Sequence, residues 1–276
     1  MSKQFFKWMA TGVAVVAMTV PAFAQGRGSR GPKPPEGPTP RLADGKPDFS
    51  GVWARPYTPD MARESRDFKG GGLFRDLPNM AKDQKGLVAL PFTPLGEKQW
   101  LAYDPANGDY TGSCMPFGLV RSVNSPDPLQ IMQNSKYVGF LWEQNTWFHI
   151  AKFSPTHSKS TTPTWFGDTI ASWDGDTLVL DTVNFNGRTR LDTIGHPHSD
   201  KLHVIERYTR TDLGHIAYEI TIDDPVTYTK PWKNDRTFTL RPDWEIMEYS
   251  CEENNKDFFE GHIKATQDGA KAAESK

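Results

Sequence analysis

The sequence contains no Gly-x-Ser-x-Gly elbow, no phosphate-cradling glycine loop, no Cys-x-x-Cys pair and no dinucleotide fingerprint. The familiar esterase, kinase and redox classes are therefore disfavoured. A glycosidase-type carboxylate pair stays open, because such pairs are set by distance in space and not by sequence spacing. Charge of one sign is also missing: a formal net charge of −2 over 276 residues offers no basic field to nucleic acid or to an anionic membrane. The most apolar run, Met9 to Val20, is too short to anchor the chain across a bilayer. Cysteine is scarce, with Cys114 and Cys251 the only two.

What is present begins with an export signal. Lys3 and Lys7 form a positive n-region, Met9 to Val20 a short apolar core, and Ala22-Phe23-Ala24 a small-x-small cleavage site. Removal of residues 1–24 takes the net charge to −4 and leaves no cysteine at the new N-terminus for a lipid anchor. The expected product is periplasmic or secreted, exported through the inner membrane of a Gram-negative cell, with no stable membrane insertion. Residues 25–46 are proline, glycine and charge, and read as a mobile linker. Residues 47–263 read as a single β-rich domain and 264–276 as a disordered tail. In an oxidising compartment Cys114 and Cys251 most simply form a disulfide, tying the early part of the domain to its last strand; a pair of buried free thiols is the alternative.

Apolar residues alternate with polar ones after Leu129, which favours sheet over helical bundle. Tyr137 to Glu143 and Trp147 to Phe153 predict one hairpin. Asp174-Gly175 predicts the turn of a second, and the stretches "LHVIERYTR" and "HIAYEITID" make the next pair. A last pair, "RTFTLRP" and "EIMEYSCEE", is expected around Pro242-Asp243. "PDFSGVW" reads as a first strand, and "TPLGEKQWLAY" as a helix with Thr93 as N-cap and Pro94 at N1. The stretch around Gly70 to Gly72 reads either as a loop over one barrel mouth or as a disordered insertion. These elements predict an antiparallel meander forming a barrel or curled half-barrel, with one short helix and long N-terminal loops.

"GHPHSDKLHVIER", Gly195 to Arg207, concentrates the candidate chemistry. His196, His198 and His203 are a candidate ligand set for a divalent metal, the one cofactor the sequence raises. The other readings are a metal-free catalytic cluster and a structural turn. If Leu202 to Thr209 is a strand, His203, Ile205 and Arg207 share one face and Glu206 lies on the other, so Glu206 is a poor partner for His203. His203 with Arg207 is one acid-base candidate, and Glu143 with His149, beside Trp142 and Trp147, is another. Asp223-Asp224-Pro225 and Asp174-Gly175-Asp176 resemble cation loops but fit turns better.

Gly51-x-Trp53 on a first strand resembles the opening of lipocalin-type barrels, which implies that Trp53 plugs a closed barrel end. The phrases "WDGDTLVLDTVNFN", "HSDKLHVIERY", "YEITIDDPVTYTKPW" and "MEYSCEEN" closely resemble an uncharacterised family of exported bacterial proteins with Gly-Val-Trp near the start. That resemblance implies fold and compartment, not an activity. It departs where many relatives carry an Asp-Gly-Arg-type turn and a following histidine: this chain reads "AKFSPTHSKSTTPTW", with His157 alone in that role. Two functional expectations follow. One is binding of a small apolar or aromatic molecule inside the barrel, lined by Trp53, Trp142, Trp147 and Tyr208, with charges kept outside. The other is a hydrolase, lyase or isomerase centred on His203 in the same pocket.

Overall fold

Nine strands follow the alternation the sequence carries. The structure, a computed structural model, describes residues 32–58, 60–62, 90–103, 109–159, 162–253 and 255. The strands are β1 (Gly51–Ala54), β2 (Leu129–Gln133), β3 (Tyr137–Trp142), β4 (Phe148–Phe153), β5 (Asp168–Asp174), β6 (Thr177–Val183), β7 (His203–Arg210), β8 (His215–Asp223) and β9 (Trp232–Leu240). They pair in sequence order and β1 closes on β9, giving a closed, lipocalin-like barrel. Strand direction must return to its starting sense after one circuit, so nine strands cannot all pair antiparallel. The one parallel seam is β4–β5, where Lys152 faces Ile170 and Phe153 faces Ala171. A parallel pair needs the chain to return between the end of β4 and the start of β5, unlike the hairpins elsewhere in the sheet.

Side chains of alternate residues fill the interior. Val204, Glu206, Tyr208 and Arg210 of β7 point inward, as do Trp232, Asn234, Arg236 and Phe238 of β9 and Phe140 and Trp142 of β3. Tyr208 packs edge-on to Tyr218 at 4.9 Å and lies 5.6 Å from Phe140, so the rings meet across the barrel. One end is closed by Phe49 and Trp53, with the Arg210 guanidinium 5.0 Å over the Trp53 ring and donating to the carbonyls of Asp48 and Leu213. Two expectations are corrected here. Trp53, Trp142 and Tyr208 are core residues, not the walls of a cavity, and Arg55, Glu206 and Arg236 are charged groups buried inside.

The other end carries the longer connections. The first helix, α1 (Pro94–Leu101), starts as the sequence predicts, the Thr93 hydroxyl accepting from Gly96 N at 3.1 Å and Pro94 standing at its first turn. A second, α2 (Leu119–Asn124), is buried along its whole length and leads into β2. The last predicted hairpin is corrected: β9 takes β1 as its second partner, Trp53 facing Leu240, so residues 241–253 are not needed to complete the sheet and form no strand. Cys251 lies beyond the last strand and is bonded to Cys114, as expected, with Cα atoms 5.5 Å apart.

The linker expectation is also corrected in its second half. From Pro34 the chain belongs to the same unit as the barrel. Leu213 N donates to Gly37 O, Thr39 Oγ1 to Arg210 O, and Arg41 pairs with Asp176 at 2.5 Å. The export signal, the triple glycine and the tail after 263 lie outside the described residues.

Candidate functional site

The barrel interior holds an acid. Glu206 Oε1 accepts the hydroxyls of Tyr208, at 2.8 Å, and Tyr218, at 2.9 Å, while Oε2 has no partner among the described residues. Burial pushes its carboxyl up to about 7, and the two hydroxyls pull back only in part. Arg55 lies 4.6 Å over the Trp142 ring and donates to the carbonyls of Ser122 and Asp127. Arg236 is held by Asn234 Oδ1, at 3.0 Å from its Nε, and by Asn124. Asn124 in turn donates to Leu191 O at 2.8 Å, linking the interior to the connection after β6.

That connection is the histidine-rich stretch, and 191–198 is buried throughout. Asp192 organises it. Its Oδ1 accepts Gly195 N and His196 N, and its Oδ2 accepts Met61 N at 2.7 Å and His196 Nδ1 at 2.6 Å. Gly195 is required, with φ +90°, because a Cβ there would stand 1.8 Å from the Tyr103 ring. The His196 ring lies 5.2 Å from Trp100 and 6.0 Å from Phe92. Burial alone would lower its basicity, but Asp192, with Asp60 behind it, raises it.

Asp60, Asp192 and His196 bring ligand-type atoms within 4.8 Å of one another. Both Asp192 oxygens are, however, filled by four N–H donors, so the group is an ion-paired knot. His198 is different. Its Nδ1 faces Ser199 O at 2.9 Å, which can only accept, so Nε2 accepts the Thr189 hydroxyl at 2.6 Å. Burial brings this neutral imidazole down to about 4. Asp224 ends β8 by accepting Ser199 N, Ser199 Oγ, Val226 N and Thr227 Oγ1, the turn the sequence favoured.

Beside the knot lies an open cleft of about 370 Å³. Asn124 and Thr193 line it and belong to the buried network; Tyr57, Phe117 and Tyr249 supply aromatic surface, Ser125, Asp127 and Gln144 polar groups. Tyr57 Oη lies 3.4 Å from Thr193 Oγ1. Arg121 is fixed by both oxygens of Asp109, at 3.0 and 2.5 Å, and by Tyr110 and Phe117, whose ring centres are 5.2 and 5.1 Å from its guanidinium carbon. Cys251 of the disulfide forms part of the wall.

The residues expected to act together are separated. His196 is in the knot, His198 bonds Thr189 and Ser199, and His203 reaches outward to Asp181 at 2.9 Å, so the three imidazoles do not converge on one point. His203 and Arg207 do lie on one face, but it is the outer one, where Arg207 pairs with Asp174 at 2.6 Å; the pocket-centred role of His203 is corrected accordingly. Inward positions on β7 belong to Glu206 and its even-numbered neighbours.

His149 faces inward, bonded to Thr169 at 2.6 Å and stacked on Phe140 and Phe166, and burial brings it down to about 4. Glu143 caps a short turn and accepts Met247 N, and Trp147 packs on Phe166. They form no acid-base pair.

Sequence reasoning missed Asp192, Asp60, Arg55 and Arg236. Only Arg236 was signalled, by alternation through "WKNDRTFTL". Comparison with family models, curated proteins and solved structures gives no match.

Proposed function

We propose that this is an exported barrel protein that binds a small aromatic molecule bearing polar substituents, in the cleft at the barrel end and not inside the barrel. The observation that carries the reading is the cleft itself: Tyr57, Phe117 and Tyr249 converge there with Ser125, Asp127 and Gln144, while the barrel interior is filled. Small-molecule sites combine an apolar, aromatic lining with a few fixed polar groups in this way. The disulfide and the N-terminal sequence support an oxidising, exported location.

The test is a thermal-shift and calorimetric screen of phenols and aromatic acids on the mature protein. The expected result is saturable binding weakened at least tenfold by Gln144→Ala or Tyr249→Ala and untouched by His203→Ala. Binding that ignores both cleft substitutions would sink the reading.

One observation favours a second reading. His196 is buried and does not itself line the cleft, but its Nδ1 is held by Asp192, the arrangement that leaves Nε2 for general acid-base work. Turnover of a cleft ligand that is lost in His196→Gln, with affinity retained, would place an isomerase, lyase or hydrolase ahead of a binder.

A further inference from the structure

The outer wall of the barrel carries a cluster that neither the cleft nor the interior uses. Asp168 of β5, Asp181 of β6 and His203 of β7 stand on neighbouring strands, and His157 reaches them from the 154–167 crossover. Asp181 Oδ1 lies 2.9 Å from His203 Nε2 and 3.1 Å from His157 Nε2. The other nitrogen of His157, Nδ1, is buried and makes no hydrogen bond among the described residues; it lies 3.3 Å from Asp168 Oδ2, an oxygen held by Ser158 N at 2.7 Å.

The charge pattern sets this patch apart. Elsewhere on the outer surface Asp174, Asp176 and Glu219 pair with Arg207, Arg41 and Lys233. Among the described residues no lysine or arginine pairs with Asp168 or Asp181; their partners are imidazoles. Two carboxylates and two imidazoles offer a divalent ion the charge and the nitrogen–oxygen donor set it needs.

We infer that His157, Asp181 and His203 bind one divalent transition-metal ion of the zinc type, with Asp168 behind His157 as the carboxylate that orients its ring. A tetrahedral zinc site with metal–ligand bonds of about 2.0–2.2 Å has ligand–ligand edges of roughly 3.3 Å. The two nitrogen–oxygen separations here are close to that edge, but the three ligand atoms do not all fall within 4.8 Å of one another, because the two nitrogens stand apart. The ion replaces the hydrogen bonds that now converge on Asp181, and one ring turns to bring the two nitrogens together. The side chains of His157, Asp181 and His203 are 26, 36 and 38% exposed, so that turn does not disturb the core. A carboxylate behind a ligating histidine is the usual device for fixing its tautomer.

The competing account is a metal-free clamp that ties the crossover to the barrel. Calorimetric titration of metal-free, untagged mature protein with zinc sulfate alone decides between them, with cobalt absorption reporting tetrahedral nitrogen–oxygen ligation. One equivalent of zinc is expected, bound at least tenfold more weakly by His157→Ala and by His203→Ala. Asp168→Asn should weaken it about tenfold, the usual scale for an orienting carboxylate. His215→Ala, an outer-surface imidazole paired with Asp212, should leave the isotherm unchanged. Melting temperatures of these surface variants check the fold. No saturable binding, or an isotherm unchanged from wild type in both His157→Ala and His203→Ala, overturns the inference.

Discussion

At the scale of single residues the barrel depends on buried groups whose protonation follows from their surroundings. Glu206, fully buried, titrates at about 7 against 4.5 for the free side chain, so between those values the folded chain keeps a proton that the unfolded chain has lost. Its contribution is fully present below about pH 4.5 and is lost as pH rises through 7, roughly 3 kcal/mol in all. His149 and His198 act in the opposite sense. Lowered to about 4, they contribute stability above their unfolded value of 6.5 that is lost as pH falls through 4. The wild-type curve mixes both, so the measurement is a difference. Urea unfolding of Glu206→Gln minus wild type should favour the variant increasingly from pH 4.5 to 8, by roughly 3 kcal/mol; a flat difference would refute the raised carboxyl. Gly195 is a backbone counterpart. An alanine there meets the Tyr103 ring and keeps a left-handed φ, so Gly195→Ala should cost about 3 kcal/mol or more in the same assay. A loss below about 1 kcal/mol would mean that the knot around Asp192 relaxes easily.

At the scale of elements, legibility tracks how local the cause is. The Asp174-Gly175 turn, the Thr93 cap and the two faces of β7 could all be read, because a turn dipeptide, a cap and a two-residue period act within a few positions. The partner of β9 could not. It is β1, about two-thirds of the chain away, and "EIMEYSCEE" alternates well enough to pass for a strand. The histidine stretch failed for the same reason: three imidazoles within eight residues are sent to the knot, to Thr189 and to the outer wall by tertiary contacts. The parallel β4–β5 seam was equally silent, being imposed by closure of an odd number of strands. It joins two residue pairs, against seven between β5 and β6. Amides of Phe148–Ala151 on the β5 side should therefore exchange with deuterium faster than those of β6 and β7. Equal protection across β4 and β6 would show that the crossover and the His149–Thr169 bond seal the seam.

At the scale of the whole molecule the chain is closed twice, by β1 on β9 and by Cys114 on Cys251. The compartment expected from the N-terminal sequence made the disulfide readable, while its consequence for the cleft needed the fold. Cys251 and Tyr249 reach the cleft wall only because residues 241–253 turn back past Glu143 instead of pairing with β9. The bond spans 137 residues, and loop-closure entropy of that size stabilises the folded chain by about 5 kcal/mol. Cys114→Ser combined with Cys251→Ser should lose a large part of that in denaturant unfolding. The two closures are separable, however: the strand registers do not involve either cysteine, so far-ultraviolet dichroism should keep its barrel signature. Ligand binding at the cleft should weaken at the same time, because the segment carrying Tyr249 loses its covalent anchor. Retained cleft binding at unchanged affinity, despite the stability loss, would mean that the 241–253 segment is held in place by Glu143 and its own turns, and that the disulfide acts on the unfolded chain alone.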